Sequence, residues 1–443
     1  MSKKNLLQNS ERRHFIKLMA AGAGITAAGI GAMTAFTADA IETKSKIVIV
    51  GAGAAGISIA NRLARETNGA DITIIDRRER HTYQPGLTLV ATGIWQAEKV
   101  TDTNSHFLPK NITWLKESVI DFSPVSNEVV TDLGKRVHYD YLVVTTGLQL
   151  DFEAIEGMHP GVIGQHGIAC VYDSTEHATA SWQAIDTFTE TGGIGVFTRP
   201  PGQLKCAGAP LKIAMLTEHL LREKGNREQA ELMYTAPAGG LFSQPDVNTF
   251  LKEHLPGRGF DVHWHSQLKA IDAEARRATF LTEQGLKQID YDFIHVVPPM
   301  RAPDALKNSE LAAQQGPFAA AGWLEVNKYS LQHVRFANVF GAGDCVGTPI
   351  GKTAASVKAQ VPVVVRNLLQ VIQGQAPDAV YNGYTSCPLV TEKGEAMLVE
   401  FDYELNMVPS FGFINPLKRH WVPWLMKDYM LQGAYNAMLR GRV

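Results

Sequence analysis

Residues 46–56 read KIVIVGAGAAG, an apolar run of strand length that breaks into Gly51, Gly53 and Gly56 and continues as a helical pattern, SIANRLARE. The three glycines permit a tight turn, close approach of backbone to a pyrophosphate and close packing of helix on strand, while the helix N-terminus offers unpaired N–H groups to the phosphates. Alone, G-x-G-x-x-G is a weak signal, compatible with a glycine-rich turn in another α/β domain. Here a second strand pattern, DITIID, follows and ends on Asp76, twenty positions past Gly56, where a ribose hydroxyl needs an acceptor. A dinucleotide site accounts for all three parts.

The 443 residues suffice for two or three domains, and 45% hydrophobic with 19% charged residues is ordinary for a globular protein. A net charge of −2 and the lack of a basic run argue against nucleic acid as a partner. Four cysteines are too few for a disulfide scaffold and show no paired metal-ligand spacing. No metal site is expected.

Residues 1–40 read as an export signal. Arg12-Arg13-His14-Phe15-Ile16-Lys17 matches the twin-arginine pattern, an Ala/Gly-rich run follows over 18–36, and Ala38-Asp39-Ala40 has small residues at the cleavage positions. The run is only marginally apolar for the alternative, a membrane-spanning anchor. Twin-arginine export carries folded proteins, which suits a cofactor loaded before export to the periplasm.

Tyr83-Gln84-Pro85-Gly86 is a turn-like cluster placed to lie beside the cofactor, and residues 119–122 and 129–131 alternate as short strands. The run 139–147, YDYLVVTTG, has a buried-strand pattern that ends in small residues, so the first domain pauses near residue 150. In a nicotinamide-binding protein the next α/β unit would carry its own strand and glycine fingerprint. Here GVFT at 195–198 leads into Arg199-Pro200-Pro201-Gly202, and two prolines offer no N–H to a pyrophosphate. The electrons are expected from another donor.

The same loop delivers KCAGAPLK at 205–212, a cysteine between two lysines just ahead of a helical pattern. Nearby positive charge and a helix N-terminus favour thiolate over thiol, which makes Cys206 a candidate nucleophile; the plain alternative is a buried small residue. The chain then returns to the first domain with VFGAGD at 339–344, followed by KTAASV at 352–357. Asp344 can accept from a ribityl hydroxyl, and the following helix N-terminus with Lys352 can hold negative charge on a reduced flavin ring. Two dinucleotide segments separated by an inserted unit point to FAD rather than NAD.

Beyond Ala376 a second loop-like cysteine, Cys387, stands in YTSCPLV, and the tail from Trp421 carries a polar stripe, Asp428, Gln432, Asn436 and Arg440, among aromatic and aliphatic residues. With flanking Lys418, Arg419, Lys427 and Arg442, such a helix can lie in a membrane interface or be buried in the core or a dimer interface.

KCAGAP and YTSCPLV, joined in order to GAGAAG, YQPG, VVPPM and GDC, resemble the sulfide:quinone oxidoreductases, in the branch that includes the mitochondrial enzymes. The resemblance runs from about residue 45 to the C-terminus. It implies an α/β fold of two Rossmann-like domains, similar to glutathione reductase, with a C-terminal amphipathic helical region that attaches to one membrane face. The corresponding divisions are a leader at 1–40, an FAD domain at 41–150 and 301–375, a second Rossmann-like domain at 151–300 and a C-terminal region at 376–443. FAD would be held by Gly53, Ala54, Ala55, Asp76, Gln84, Val119, Asp344 and Lys352, with Gly51 and Gly56 from the fingerprint and Gly147 at the end of the 139–147 strand. Cys206 and Cys387 would form the redox pair, with hydrosulfide, a small-molecule sulfur acceptor and ubiquinone or menaquinone as partners; a homo-oligomer is left open. Cys170 lies where many members have a third cysteine and Cys345 follows the flavin aspartate; neither is assigned a role, and no histidine, His177 included, is a secure general base. The leader departs from the mitochondrial branch and sets the expected location at the periplasmic face of the inner membrane.

The implied chemistry is attack of hydrosulfide on a Cys206/Cys387 disulfide or a sulfur-bridged form of it, leaving a persulfide on one cysteine and a thiolate on the other. Two electrons pass through FAD to quinone, with Cys206 at the flavin and Cys387 carrying the sulfur. A competing reading is the flavoprotein subunit of flavocytochrome c sulfide dehydrogenase, whose flavin is commonly tethered to an early cysteine; this chain has none before Cys170. A quinone-reducing NADH dehydrogenase lacks support for want of the second fingerprint. In a further reading the chain is a non-catalytic exported FAD-binding module with a structural disulfide.

Overall fold

The computed structural model describes residues 40–443, so the twin-arginine motif lies outside it. Strand β1 (Lys46–Val50) is buried beyond its first residue, as a continuous apolar run inside a parallel sheet must be. The chain turns at Gly51 into α1 (Ala54–Glu66) and returns on β2 (Asp71–Ile75), with β3 (Thr113–Leu115) and β4 (Tyr141–Val144) following. Next come β5 (Ile168–Ala169), α2 (Thr175–Thr191), β6 (Gly193–Thr198), α3 (Ala209–Lys224), β7 (Ala230–Thr235), α4 (Pro245–Gly257), β8 (Phe260–His263) and β9 (Phe293–His295). The chain goes back to the first sheet on β10 (Val339–Gly341) and crosses it on α5 (Ala354–Ile372). It ends in a hairpin, β11 (Thr385–Glu392) and β12 (Glu395–Phe401), and in α6 (Trp421–Leu425), a π-helical turn (Met426–Met430) and α7 (Leu431–Leu439).

Two five-stranded parallel sheets result, ordered β10-β4-β1-β2-β3 and β5-β9-β6-β7-β8. This is the expected Rossmann-like α/β class. In the first sheet Val144 lies opposite both Val50 and Gly341. The turns after β1, β4 and β10 therefore open at one sheet edge, the carboxyl edge where open α/β sheets bind ligands. Residues 40–409 and 414–443 form one compact unit.

In the tail, Asp428 Oδ1 accepts from Trp95 Nε1 at 2.6 Å and Gln432 donates to the Lys99 carbonyl. From α1, Asn61 and Arg65 donate to the Leu439, Arg440 and Gly441 carbonyls. These bonds turn the polar stripe inward onto the protein. The opposite face is uncharged, with Tyr429 73% exposed and Met430, Gly433 and Ala434 also open to solvent. No described helix is long and apolar enough to cross a membrane.

Candidate active site

The glycines of the first turn differ in what surrounds them. A Cβ on Gly51 would stand 2.4 Å from the Thr145 carbonyl oxygen, and one on Gly56 only 1.9 Å from the Gly51 carbonyl oxygen. These two allow the turn and the close packing of α1. Gly53 instead faces open space, as does Gly147 after β4, and α1 begins at Gly53 with no side chain capping its first N–H groups. An uncapped helix start beside an open groove suits a pyrophosphate. The Asp344 carboxylate, on the same edge, receives no hydrogen bond from the described residues; burial pushes its carboxyl up and Lys205 and Lys352 draw it back. These features are compatible with FAD, whose phosphates Gly53, Ala54 and Ala55 would receive and whose ribityl chain Asp344 would face.

Other expected cofactor residues are engaged within the protein. Asp76 takes the Ala52 N–H at 2.7 Å and three hydrogen bonds from Arg78, two of them from its guanidinium. Burial pushes this carboxyl up, but the Arg78 contacts outweigh it and hold the pKa below the ordinary value. A ribose hydroxyl reaches Asp76 only by displacing the Arg78 side chain, because a carboxylate has about four acceptor sites. Lys352 is buried over the Trp323 ring at 3.7 Å and donates to the Asp344 and Val346 carbonyls at 2.6 and 3.0 Å, and burial pushes its pKa down to about 8. Gln84 accepts from Lys205 Nζ at 2.8 Å, and Val119 begins a short antiparallel strand, Val119–Ser123.

The two cysteines expected to form the redox pair come together from separate elements. Cys206 precedes α3 in a left-handed conformation, φ 48°, which costs a non-glycine residue about 1 kcal/mol. Its backbone is held on three sides: the N–H donates to the Lys352 carbonyl at 2.9 Å, and the carbonyl accepts from Ala209 N–H at 2.7 Å and Tyr172 O–H at 3.2 Å. Cys387 sits on β11 opposite Val399. A Cβ on Gly208 would stand 2.7 Å from its sulfur, so glycine at the head of α3 makes room for it. Both sulfurs are free thiols here.

The pair is asymmetric. The adjacent Cys387 thiol, with positive charge from Lys212 and Lys427, holds the Cys206 thiol well below its usual pKa, while the Cys387 thiol is pushed well up. Lys212 Nζ lies 3.5 Å from Cys206 Sγ. Cys170 and Cys345 are buried thiols with raised pKa, pushed up by burial, and do not belong to this pair.

Sequence reasoning passed over Lys427, treating it as a flanking charge of the tail. In the structure Lys427 is 2% exposed, donates to the Pro85 carbonyl and lies 5.7 Å from the Tyr83 ring centroid. Burial first, then Lys212, pushes its pKa down to about 7. It stands in the π-helical turn, a feature frequent at functional sites. A signal existed: Lys427 is the one cation on the otherwise apolar row of Trp424, Leu431, Tyr435 and Met438.

The pyridine nucleotide-disulphide oxidoreductase family matches residues 45–188. The mitochondrial sulfide:quinone oxidoreductase of Dictyostelium discoideum is 37% identical over 91% of this chain and 87% of its own length, and that of Mus musculus is 36% identical over 89% and 86%. The solved sulfide:quinone oxidoreductase of Aquifex aeolicus shares the fold, with a TM-score of 0.75, 21% identity and coverage of 90% and 92%. These relatives overturn one expectation, the periplasmic location by twin-arginine export, because the Dictyostelium, mouse and Schizosaccharomyces pombe proteins are mitochondrial. Two arginines before an Ala/Gly run are a short motif, and basic, acid-poor N-termini also mark organelle targeting segments. With identity at this level over nine-tenths of its length, and with Cys206 and Cys387 brought together, the chain belongs to the FAD-dependent sulfide:quinone oxidoreductase family.

Proposed function

We propose that the chain oxidises hydrosulfide at a Cys206/Cys387 pair and passes two electrons to a quinone. The observation that carries this is the meeting of Cys206 and Cys387 at the head of α3, where the Cys387 sulfur lies against Gly208 and Lys212 Nζ stands 3.5 Å from Cys206 Sγ. In the oxidised pair, hydrosulfide forms a bond to Cys387 Sγ while the Cys206–Cys387 bond breaks. The persulfide stays on Cys387, and Cys206, whose thiolate is the better stabilised leaving group, takes the electron pair. Transfer of the outer sulfur to a nucleophilic acceptor then leaves two reduced cysteines. FAD would supply the two-electron acceptor for them and the donor to quinone, and the sum balances: hydrosulfide, quinone and one proton give one sulfane sulfur and quinol. Cys206 touches the backbone of Lys352 and its charge acts on Asp344, which supports its place on the flavin side. The cofactor would lie in a domain of residues 41–150 and 301–375, with 151–300 supplying Cys206 and 376–443 supplying Cys387 and the tail.

The test is an anaerobic titration of purified protein. Sulfide should bleach the flavin absorbance, NADH should not, and a short-chain quinone should restore it. A flavin that stays oxidised with sulfide refutes the proposal, and restoration by a cytochrome alone would favour the haem-partner reading.

Lys427 gives a pH-dependent prediction. It is cationic below about pH 7 and neutral above, so it supports the Cys206 thiolate only on the acid side of that value. In Lys427→Met the acid limb of Cys206 alkylation by iodoacetamide should move up by roughly one pH unit, the usual effect of losing a nearby opposite charge. A limb in the wild-type position would show that Lys427 does not act on the sulfur.

The tail is read as a membrane-interface helix, because Asp428 and Gln432 of its polar stripe are satisfied internally while Tyr429 and Met430 are presented outward. Changing both to Asp should weaken co-sedimentation with phospholipid vesicles about tenfold, in keeping with roughly 1–2 kcal/mol of apolar burial. Unchanged co-sedimentation would rule this face out.

A further inference from the structure

Hairpin β11–β12 pairs only with itself among the described strands, so no sheet ladder sets its distance from α3. The two elements pack through Leu216 against Val390 and are also tied, well behind the cysteines, by buried charges. Arg258, just past α4, donates through Nε to Glu218 Oε2 at 2.6 Å, and through Nη2 to the same oxygen and to the Met215 carbonyl at 3.1 Å. Its Nη1 donates to the Thr391 carbonyl. Met215 and Glu218 lie on α3, which begins just after Cys206, and Thr391 lies on β11, four residues past Cys387. Arg222 spans the same gap, donating to Glu218 Oε1 and to Glu392 Oε2, each at 2.8 Å. Glu218 is 2% exposed. A buried ion pair is weak support for stability, since apolar side chains of the same volume commonly do as well.

We propose that Arg258 and Glu218 are positioning residues for the cysteine pair: they hold β11 at a set distance from α3 and so determine how readily the two sulfurs close into a disulfide. This rests on the reading of Cys206 and Cys387 as the redox couple. A disulfide needs an S–S length of about 2.05 Å and Cα atoms within about 7 Å, a narrow window for a strand outside any larger sheet. The guanidinium is a rigid planar fork that here holds one carboxylate and two carbonyls at once. Lysine at this position keeps the charge against Glu218 and loses the two carbonyl contacts.

The experiment equilibrates the full-length protein with reduced and oxidised glutathione. Two protein thiols plus one oxidised glutathione give one protein disulfide plus two reduced glutathiones, read by alkylation and mass mapping of the Cys206–Cys387 bond. Arg258→Lys should lower the closure constant roughly tenfold to a hundredfold, the scale on which small misplacements of reacting groups act. Glu218→Gln should act in the same direction. Leu63→Ala, a core deletion in α1, should lower the unfolding midpoint and leave the closure constant at its wild-type value. If Arg258→Lys lowers the midpoint alone, or if Leu63→Ala lowers closure equally, the clamp is only structural and the inference is overturned. If wild-type protein forms no Cys206–Cys387 bond under oxidised glutathione, the redox-couple reading itself fails and the inference with it.

Discussion

Cys206→Ser should cut sulfide-dependent flavin reduction by roughly 10⁴-fold or more, Cys387→Ser by a similar factor, and the double variant by no more than either, because residues that act as one unit lose their effect together. Flavin content should stay near wild type, since neither side chain belongs to the glycine turn or to the Asp344 segment. The two positions then separate by a finer reading. The Cys387 side chain lowers the Cys206 pKa, an effect that a serine hydroxyl at 387 can supply as a donor and that Cys387→Ala removes. Thiolate absorbance at Cys206 should therefore survive to low pH in Cys387→Ser and retreat upward in Cys387→Ala. After one equivalent of sulfide reacts with the oxidised wild-type pair in the absence of a sulfur acceptor, mass mapping should place the additional sulfur on the Cys387 peptide. Sulfur found on the Cys206 peptide would reverse the roles of the two cysteines, and full activity in Cys387→Ser would dismiss the pair.

What was legible beforehand follows the range of the interactions concerned. The dinucleotide turn depends on backbone contacts within a few residues, Gly56 against Gly51 and Gly51 against Thr145 on the neighbouring strand, and a local glycine pattern reports such contacts well. The nucleophilic character of Cys206 was readable from Lys205 and Lys212, although only Lys212 reaches the sulfur; Lys205 turns to Gln84. The inward turn of the tail's polar stripe could not be read from the tail, because its partners, Trp95 and Lys99, are over three hundred positions away. Asp76 was expected to await a ribose, and its neighbour Arg78 was not weighed as a competitor for the same oxygens. The clamp at Arg258 has no local pattern, since it joins one side chain to two backbone carbonyls on elements distant in the chain.

Gly53→Ala and Gly56→Ala should fail in opposite ways, and the contrast locates the cofactor without relying on activity. At Gly53 the backbone has φ −84° and ψ −163°, which alanine adopts without strain, and a Cβ there would touch nothing in the protein. Loss of glycine at this helix start costs the fold about 1 kcal/mol at most. The unfolding midpoint of flavin-free protein should hardly move, yet flavin content should fall about tenfold or more, because the methyl occupies the space through which a pyrophosphate approaches the backbone. At Gly56 the added Cβ would stand 1.9 Å from a backbone oxygen, and neither α1 nor the turn can yield without breaking the packing of helix on strand. That variant should be destabilised by roughly 3 kcal/mol or more, beyond ordinary overpacking of a core, and recovered poorly with or without added FAD. Retention of full flavin content in Gly53→Ala would move the cofactor out of the groove between the β1 and β4 turns, and the placement of Cys206 beside it would have to be rebuilt from another face of the first sheet.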